Sequence, residues 1–297
     1  MLKWILGSLG LIASAQATAA VEFRFAPPDG LECDQYYKSR VIKDLGVAAP
    51  RRADATESVT HLKFEKVAQG YRVTATTQSG QMTRDGNAVD DPITKVLIGR
   101  EIVMDIGSDG VLLEVHGYDE FLKDLMATLP PDAQKALAGT LNAEVLRNRE
   151  IAEWNGRIAA FVGKTVNEGD VWESEDEFTL PTGPVRFTSL TEFSRIDVRA
   201  GRPMVTINFA YAADGDAARK MMETVRQGLS GLGAEVPSIL SEPTIHGGGE
   251  RIIDASTMTI EREKLNRVIS APFDMPDGSR AVMTRTEDKE YVFKCRQ

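Results

Sequence analysis

Cysteine and histidine, the side chains that most often bind zinc, are scarce in this chain. It has two cysteines and three histidines among 297 residues. His61, His116 and His246 each stand alone, without a second histidine or cysteine at helical or turn spacing. Zinc sites usually show paired ligands at short separations. The sequence therefore predicts no metal site.

The chain also lacks the short motifs of common enzymes. Neither G-x-S-x-G nor S-x-x-K occurs in it. The glycines at 228, 231 and 233 end a predicted helix, and those at 247–249 lack the Lys and Ser or Thr of a P-loop. The sequence thus favours a non-enzymatic protein without a cofactor. Because a catalytic triad is recognised by geometry, a hydrolase without a recognisable motif stays an alternative.

Acidic clusters are present, but their spacing does not indicate a site. Residues 85–91 offer oxygen ligands, yet Val89 and Asp90 occupy positions where a calcium loop of the EF-hand type needs a ligand and a glycine. Glu173, Glu175 and Glu177 share one face of a predicted strand. A catalytic pair would need one carboxylate in an apolar pocket, so three in a row more simply predict a solvated surface.

Basic residues are fewer than acidic ones, 35 Lys and Arg against 44 Asp and Glu. The formal net charge is -9 at pH 7. Nucleic acids and anionic lipid headgroups both require clustered Lys and Arg on their partners. The acidic balance therefore argues against either as the main partner.

The first residues have the layout of a secretory signal. Lys3 precedes an apolar stretch from Trp4 to Ala15, and Ala17-Thr18-Ala19 forms a small-residue cleavage site. The stretch is shorter than the roughly 20 residues that span a bilayer. We expect residues 1–20 to be a signal peptide and the mature chain to be soluble and periplasmic, without stable membrane insertion. Cys33 lies too far downstream for a lipoprotein.

The two cysteines lie near opposite ends of the chain and predict one disulfide, between Cys33 and Cys295. Tyr291, Phe293 and Cys295 alternate, which puts the second thiol on the apolar face of a strand. A structural bridge is favoured there, and two free, buried thiols are the alternative.

Hydrophobic periodicity divides the chain into strands and helices. Alternation predicts hairpins around residues 62–75 and 102–115, and a bulge near Ser194. Helical spacing predicts helices over about 118–129 and 142–161, the second with a stripe of apolar residues: Ile151, Trp154, Ile158 and Phe161. Residues 48–57 and 241–249 are predicted loops.

Hairpins grouped before helices, without regular alternation, predict an α+β fold with a mainly antiparallel sheet. Residues 21–163 form hairpins followed by helices, and residues 164–297 form hairpins with one helix and C-terminal strands. Two similar halves and one continuous domain both stay open, because no residue-level repeat is visible.

Two motifs carry a family resemblance: residues 109–117, and the pair of segments 161–164 and 168–172. They resemble secreted bacterial β-rich proteins of unknown function, whose architecture is similar to the lipoprotein-carrier group (LolA, LolB and LppX). The resemblance implies a curved, incomplete-barrel sheet covered by helices around an apolar cavity. It transfers no functional residue, because fold alone does not establish function.

A third predicted helix, starting near Asp214 or Asp216, is the candidate ligand contact. Its apolar stripe includes Met221, Met222, Val225 and Leu229. Methionine adapts to irregular ligands, so the stripe is a candidate lining for an apolar cavity, with ordinary core packing as the alternative. The sequence thus favours a protein that binds a lipid or apolar small molecule, or else an envelope protein-interaction or structural module.

Overall fold

The computed structural model describes residues 20–44, 50–138, 142–180, 183–213, 215–216, 218–220, 243–274 and 280–296. The predicted signal peptide lies outside these residues except for Ala20. Its cleavage therefore stays a prediction.

The first part of the chain is a run of antiparallel strands. After the short β1, each of β2, β3, β4, β6 and β7 pairs in turn with the next, and β5 adds to β4. The elements are β1 (Val21–Glu22), β2 (Glu32–Asp44), β3 (Arg52–Val67), β4 (Gly70–Arg84), β5 (Asn87–Val89), α1 (Pro92–Leu97), β6 (Glu101–Gly107) and β7 (Leu112–His116).

Helices follow, and the first and third of them lie where the periodicity predicts. They are α2 (Tyr118–Thr128), α3 (Pro131–Ala138) and α4 (Ala143–Trp154), and one π-helical turn (Asn155–Ala159) extends α4. Asn142 caps α4 by accepting a hydrogen bond from the Val145 amide at 2.9 Å. The π turn keeps Ile158 on the same face as Ile151 and Trp154, so the predicted stripe packs into the core.

The second run contains the longest strands. After β8 (Thr165–Val166), which pairs with β1, the strands are β9 (Val171–Leu180), β10 (Gly183–Arg199), β11 (Arg202–Ala213), β12 (Thr244–Asp254), β13 (Ile260–Asp274) and β14 (Arg280–Arg296). The register between β10 and β11 shifts between Phe193 and Arg195, which confirms the bulge predicted at Ser194.

One antiparallel sheet joins the two runs. Its strand order is β7-β6-β4-β3-β2-β14-β13-β12-β11-β10-β9, so the C-terminal strand pairs with β2 at the centre. The expected α+β fold with helices covering the sheet is wrong, because the described residues are 61% strand and 19% helix and the helices among them are few and short. The assignment of domains stays a prediction, although both runs belong to this sheet.

The sheet bends around the segment that precedes β2. Phe25 packs edge-on against Tyr71 of β4, with ring centroids 5.2 Å apart, and Phe23 lies 5.9 Å from Phe193 of β10. In a flat sheet, the seven strand steps between β4 and β10 would separate them by about 34 Å. Because Phe23 and Phe25 are neighbours on one short segment, β4 and β10 must curve toward each other.

The main core lies on one face of the sheet and at one end of its strands. We call the face that contacts α4 and the π turn the inner face. Its apolar end is the set of inner-face residues packed with Phe23, Phe25, Ile158 and Phe161: Cys33, Leu62, Phe64, Val73, Met104, Phe193, Val205, Ile207 and Ile253. A second, smaller core joins α1, α2 and α4 through Phe121, Leu122 and Leu125.

Candidate functional site

The inner face changes character along the strands. Side chains alternate between the two faces, so on β2 the inner positions run from Cys33 through Tyr37 to Lys43. The paired positions on β14 run from Cys295 through Tyr291 to Arg285. The inner face is therefore apolar at one end and becomes polar, then charged, toward the other.

A small cavity lies at the apolar end, between the π turn and the sheet. Its volume is about 110 Å³, and it is lined by Leu62, Met104, Ile158 and Phe293 among others. Glu150 and Arg157 form its polar side. A dry cavity of comparable size, about 150 Å³, holds a benzene molecule in another protein, so this one admits a small apolar group.

The predicted disulfide forms part of the cavity wall. Cys33 and Cys295 are bonded, with their Cα atoms 4.0 Å apart, at directly opposite positions of β2 and β14. The alternative of two free thiols is therefore wrong. The bridge links β2 to β14, the two strands at which the two runs of strands meet. We call this junction the seam.

A buried ion network borders the cavity. Glu263 is fully buried, accepts a 2.9 Å hydrogen bond from Nε of Arg251 and also binds Arg157 through its other oxygen. Burial alone would raise the pKa of Glu263, but the charges of Arg251 and Arg157 outweigh it and hold the pKa below its ordinary value. An ionised, doubly paired carboxylate is not a general acid, so the role of this network is structural.

Two tyrosines continue the inner face beyond this network. The guanidinium of Arg157 lies 5.4 Å from the ring centroid of Tyr291, and the Tyr291 and Tyr37 rings are 4.9 Å apart. Burial raises the pKa of Tyr291, so its phenol stays protonated at neutral pH. We call the rings of Tyr37 and Tyr291 the tyrosine floor. They combine apolar ring faces with polar hydroxyl groups, and they lie between the apolar end and the charged strands.

Glu150 has a pKa that is shifted in the opposite direction from that of Glu263. Burial, and then the nearby charge of Glu153, raise the pKa of Glu150, and Tyr118 donates a 3.3 Å hydrogen bond to it. Raised pKa values of this kind are typical of functional sites but also occur in structural ones.

At the far end of the inner face lies a group of charges that we call the cationic band. It consists of six cations and two carboxylates: Lys43, Arg52, Arg84, Arg267, Arg285 and Lys289, with Asp54 and Glu287. Asp54 binds three of the cations at 3.1–3.2 Å, and Glu287 binds Arg267 and Arg285. The side chains of Asp54 and Glu287 are 8% and 4% exposed, whereas those of the cations bound to them are 35–43% exposed.

The band holds its carboxylates ionised. Burial alone would raise the pKa of Glu287, but Arg267 and Arg285 lower it below the ordinary value. The same competition lowers the pKa of Asp54, where Arg84, Lys43 and Arg52 outweigh burial. Burial lowers the pKa of Lys289, which follows Glu287 by two residues on the same face.

Three glycines beside the band were predicted to lie in a loop, and that prediction is wrong. Residues 247–249 belong to β12. A Cβ at Gly247 would lie 2.6 Å from the hydroxyl oxygen of Tyr211, and one at Gly249 would lie 2.9 Å from the Phe209 ring. Closer still are two carbonyl oxygens of β13, that of Asn266 at 2.4 Å from a Cβ at Gly247 and that of Lys264 at 1.9 Å from one at Gly249, so both positions require glycine.

The histidines lie away from the inner face. His61 binds Asp34 at 2.9 Å, and His246 is exposed on β12. His116 contacts Asp105 at 3.2 Å and Glu114 at 3.8 Å. This last group has the donor set of a metal site, but Asp105 is also bound by Arg72 at 2.8 and 3.1 Å. In the described part of the chain these histidine contacts include no serine, so they do not support the hydrolase alternative.

The other predicted features divide between described and undescribed residues. Glu173 and Glu175 are exposed, as predicted for a solvated surface. Asp91 caps α1 by accepting a hydrogen bond from the Thr94 amide at 3.1 Å. The predicted ligand-contacting stripe of Met221, Met222, Val225 and Leu229 lies outside the described residues.

Sequence reasoning missed the residues of the cationic band. The signal was the clustering of Arg and Lys within residues 38–43 and 262–267 and at 285–289, in a chain that is acidic as a whole. It became interpretable only once strand pairing placed these segments side by side.

Comparisons with known proteins give little guidance. No family model matches the chain, and no curated protein does. Among solved structures, DynF from the dynemicin biosynthesis pathway of Micromonospora chersina is 7% identical, with 98% of this chain and 92% of that chain covered and a TM-score of 0.20. The β domain of the Bordetella autotransporter BrkA is 8% identical, with 89% and 99% covered and a TM-score of 0.23.

Pseudomonas aeruginosa OccK5 (OpdH) is also similar, at 7% identity, with 91% of this chain and 99% of that chain covered and a TM-score of 0.24. Similarities this low support no argument about fold or function. Among the described helices, none has the length and apolar content needed to cross a bilayer.

Proposed function

We propose that this chain is a non-enzymatic periplasmic protein that binds an apolar or amphiphilic ligand on its inner face. The observation that carries the proposal is the cavity of about 110 Å³ at the apolar end. Protein interiors are normally close-packed, so an apolar space of this size beside a curved sheet needs an explanation. Binding sites of this kind are concave and mostly apolar, with a few polar groups.

Glu150 and Arg157 supply those polar groups at the cavity wall. The cavity is too small for a whole lipid and fits one end of a longer ligand, whose remainder would lie along the inner face over Tyr37 and Tyr291. The disulfide and the signal-like N-terminus support an oxidising compartment outside the cytoplasm. The resemblance to the lipoprotein-carrier group implies an apolar cavity of this kind.

Native mass spectrometry and lipid extraction of protein purified from cells test the proposal. We expect a co-purifying apolar molecule, and Leu62→Phe, which adds volume at the cavity wall, should reduce its occupancy several-fold. Leu113→Phe is the matched control, because Leu113 is 59% exposed. Empty wild-type protein, or equal occupancy in all three proteins at similar thermal stability, would contradict the proposal.

A second candidate, an envelope protein-interaction module, is favoured by the ends of the sheet. Within the described part of the chain, β7 and β9 are the terminal strands of the order, and Val171 of β9 is 54% exposed. Such edges can accept a strand from a partner. Crosslinking through a photoreactive residue at position 171 should then yield one defined protein adduct in cells, whereas a ligand carrier without this role yields none.

A further inference from the structure

We infer that the cationic band binds the acidic group of the ligand, so that the ligand is an amphiphile with a carboxylate or phosphate at one end and an apolar chain at the other. This inference rests on the proposed function and names the chemical class of its ligand. It is carried by the composition, register and exposure of the band.

The charges of the band do not balance. Among the described residues, six cations surround two carboxylates, which leaves four positive charges in excess within the band of a chain whose formal net charge is -9. Glu153 and Arg149, whose charges also act on Lys289, are paired with each other and leave this excess unchanged. The carboxylates are buried beneath the cations, so the surface offered to solvent is that of the guanidinium and ammonium groups. An anion that reaches the inner face meets these groups first.

The register of the band is unfavourable for the sheet itself. Lys43 lies directly opposite Arg285 on one neighbouring strand and directly opposite Arg52 on the other. Like charges at directly opposite positions destabilise a sheet. Local violations of the rules that stabilise a fold are expected at functional sites, and a bound anion would turn this repulsion into attraction.

The arginines also have donors left over. Nε of Arg267 and Nε of Arg285 have no hydrogen-bond partner within the described structure. Both atoms are buried, so the donors that face a ligand are the terminal nitrogens of these half-exposed side chains. Guanidinium groups present several N–H donors in a planar arrangement that matches carboxylate and phosphate oxygens. The two residues bind opposite oxygens of Glu287, so their other nitrogens flank it on both sides.

The distance between the two ends of the inner face gives the ligand its shape. Gln35 lines the cavity and Lys43 belongs to the band, both on β2. Their eight-residue separation corresponds to about 26 Å along a strand. A ligand that contacts both ends is therefore long, with its acidic group and the end of its apolar chain on opposite sides of the tyrosine floor.

This inference corrects the expectation from net charge. The acidic balance of the sequence argued against anionic headgroups as partners, but net charge does not describe how charge is distributed over the two faces of a sheet. The excess acidic residues lie elsewhere, and the inner face carries the opposite sign.

Calorimetric titration with probes of equal chain length tests the inference: octadecyl phosphate, octadecanoate and octadecan-1-ol, each delivered as a cyclodextrin complex. The extended octadecyl chain with its headgroup matches the separation between the cavity and the band. We expect both acidic probes to bind at least tenfold more tightly than octadecan-1-ol, because a hydrogen bond to a charged group commonly contributes a factor of about ten or more. Equal affinities would overturn the inference and leave the proposed function intact. If none of the three binds, the proposed function fails as well.

Two pairs of substitutions separate the band from general electrostatics. Lys43→Gln with Arg285→Gln should abolish the preference for the acidic probes and leave octadecan-1-ol binding unchanged. Both remaining carboxylates keep arginine partners, so the denaturation midpoint should not fall. Lys38→Gln with Arg40→Gln removes the same charge from the outer face of β2 and should change neither affinity.

A preference that survives the first pair, or that the control pair abolishes equally, would overturn the inference. Inorganic phosphate distinguishes an amphiphile from a free anion. At equal concentration it should not displace octadecyl phosphate, and complete displacement would also overturn the inference.

Discussion

The two ends of the inner face use the same strands in different ways. At the apolar end, aromatic and aliphatic side chains pack against α4 and the segment that precedes β2. At the other end, buried carboxylates organise half-exposed cations. The contrast shows that one curved sheet buries a packed apolar core at one end and presents paired, half-exposed charges at the other.

The pKa values of two glutamates are shifted in opposite directions at the two ends, so the contrast can be measured. Burial raises the pKa of Glu150 at the apolar end, whereas Arg267 and Arg285 outweigh burial and lower the pKa of Glu287 in the band. The direction of each shift follows from the partners that the fold supplies and not from residue type.

The largest effect is expected from emptying the apolar end. Phe193 is fully buried and its ring contacts those of Phe23, Phe161 and Trp172. Phe193→Ala should lower the free energy of unfolding by about 3–5 kcal/mol, because the neighbours relax only partly into the space. Leu190→Ala on the same strand, at a residue that is 48% exposed, is the control and should cost well under this. Equal losses in urea denaturation would contradict the assignment of the core.

A loss of similar size but different origin is expected from the buried ion network. Glu263→Ala leaves Arg251 and Arg157 without their anion and should cost about 3–5 kcal/mol. Replacing the pair together, as Arg251→Met with Glu263→Leu, should restore most of that free energy, because a well-packed apolar pair can substitute for a buried ion pair. Urea denaturation measures the free energy of unfolding of the single and the double variant. A double variant that is no more stable than Glu263→Ala would contradict the structural role of this ion pair.

A smaller loss is expected from opening the seam between the two runs of strands. Cys33→Ser with Cys295→Ser should lower the free energy of unfolding by about 2–4 kcal/mol, chiefly by releasing the unfolded chain. The reduced wild-type protein should behave like the variant, and oxidised protein treated only with an alkylating reagent is the control. Unchanged denaturation midpoints would contradict the structural role of the bridge.

The smallest effect is expected in the pH dependence of the free energy of unfolding. This effect distinguishes the two ends best. A carboxylate with a lowered pKa stabilises the fold above its unfolded pKa of about 4.3, and this contribution is lost as pH falls through the folded value. Glu287→Gln should therefore be less stable than wild type at pH 7, with a gap that closes toward pH 3. Glu150→Gln should show the opposite sign, because a raised pKa costs stability once the carboxyl ionises.

Urea denaturation of wild type and both variants at pH 3, 5 and 7 measures these differences. Each carboxylate changes the free energy of unfolding by at most about 1.4 kcal/mol per pH unit. Two variants that shift stability in the same direction at pH 7 would remove the distinction between the two ends.

The sequence correctly predicted those elements whose buried residues follow a local periodic pattern. The hairpins of β3 with β4 and of β6 with β7, and the stripe from Ile151 to Phe161, alternate or repeat as buried surfaces do. It failed on β2 and on most of β13, because the inner positions of these strands carry Tyr37, Lys43, Glu263 and Arg267 instead of a continuous apolar row. The missed strands carry Lys43 and Arg267 of the band. Arg52 and Asp54 lie within residues 48–57, and the prediction of a loop there is wrong because β3 begins at Arg52.

The sequence by itself determined the periodic strands and helices, favoured one bridge between its two cysteines and fixed the acidic balance of the chain, because these depend on periodicity, count and composition. Only the tertiary structure decided that β14 pairs with β2, that the chain is β-rich and that Lys43, Arg52 and Arg285 lie side by side. The physical reason is that strand pairing joins residues more than two hundred positions apart, and charges act over the distances that the fold creates.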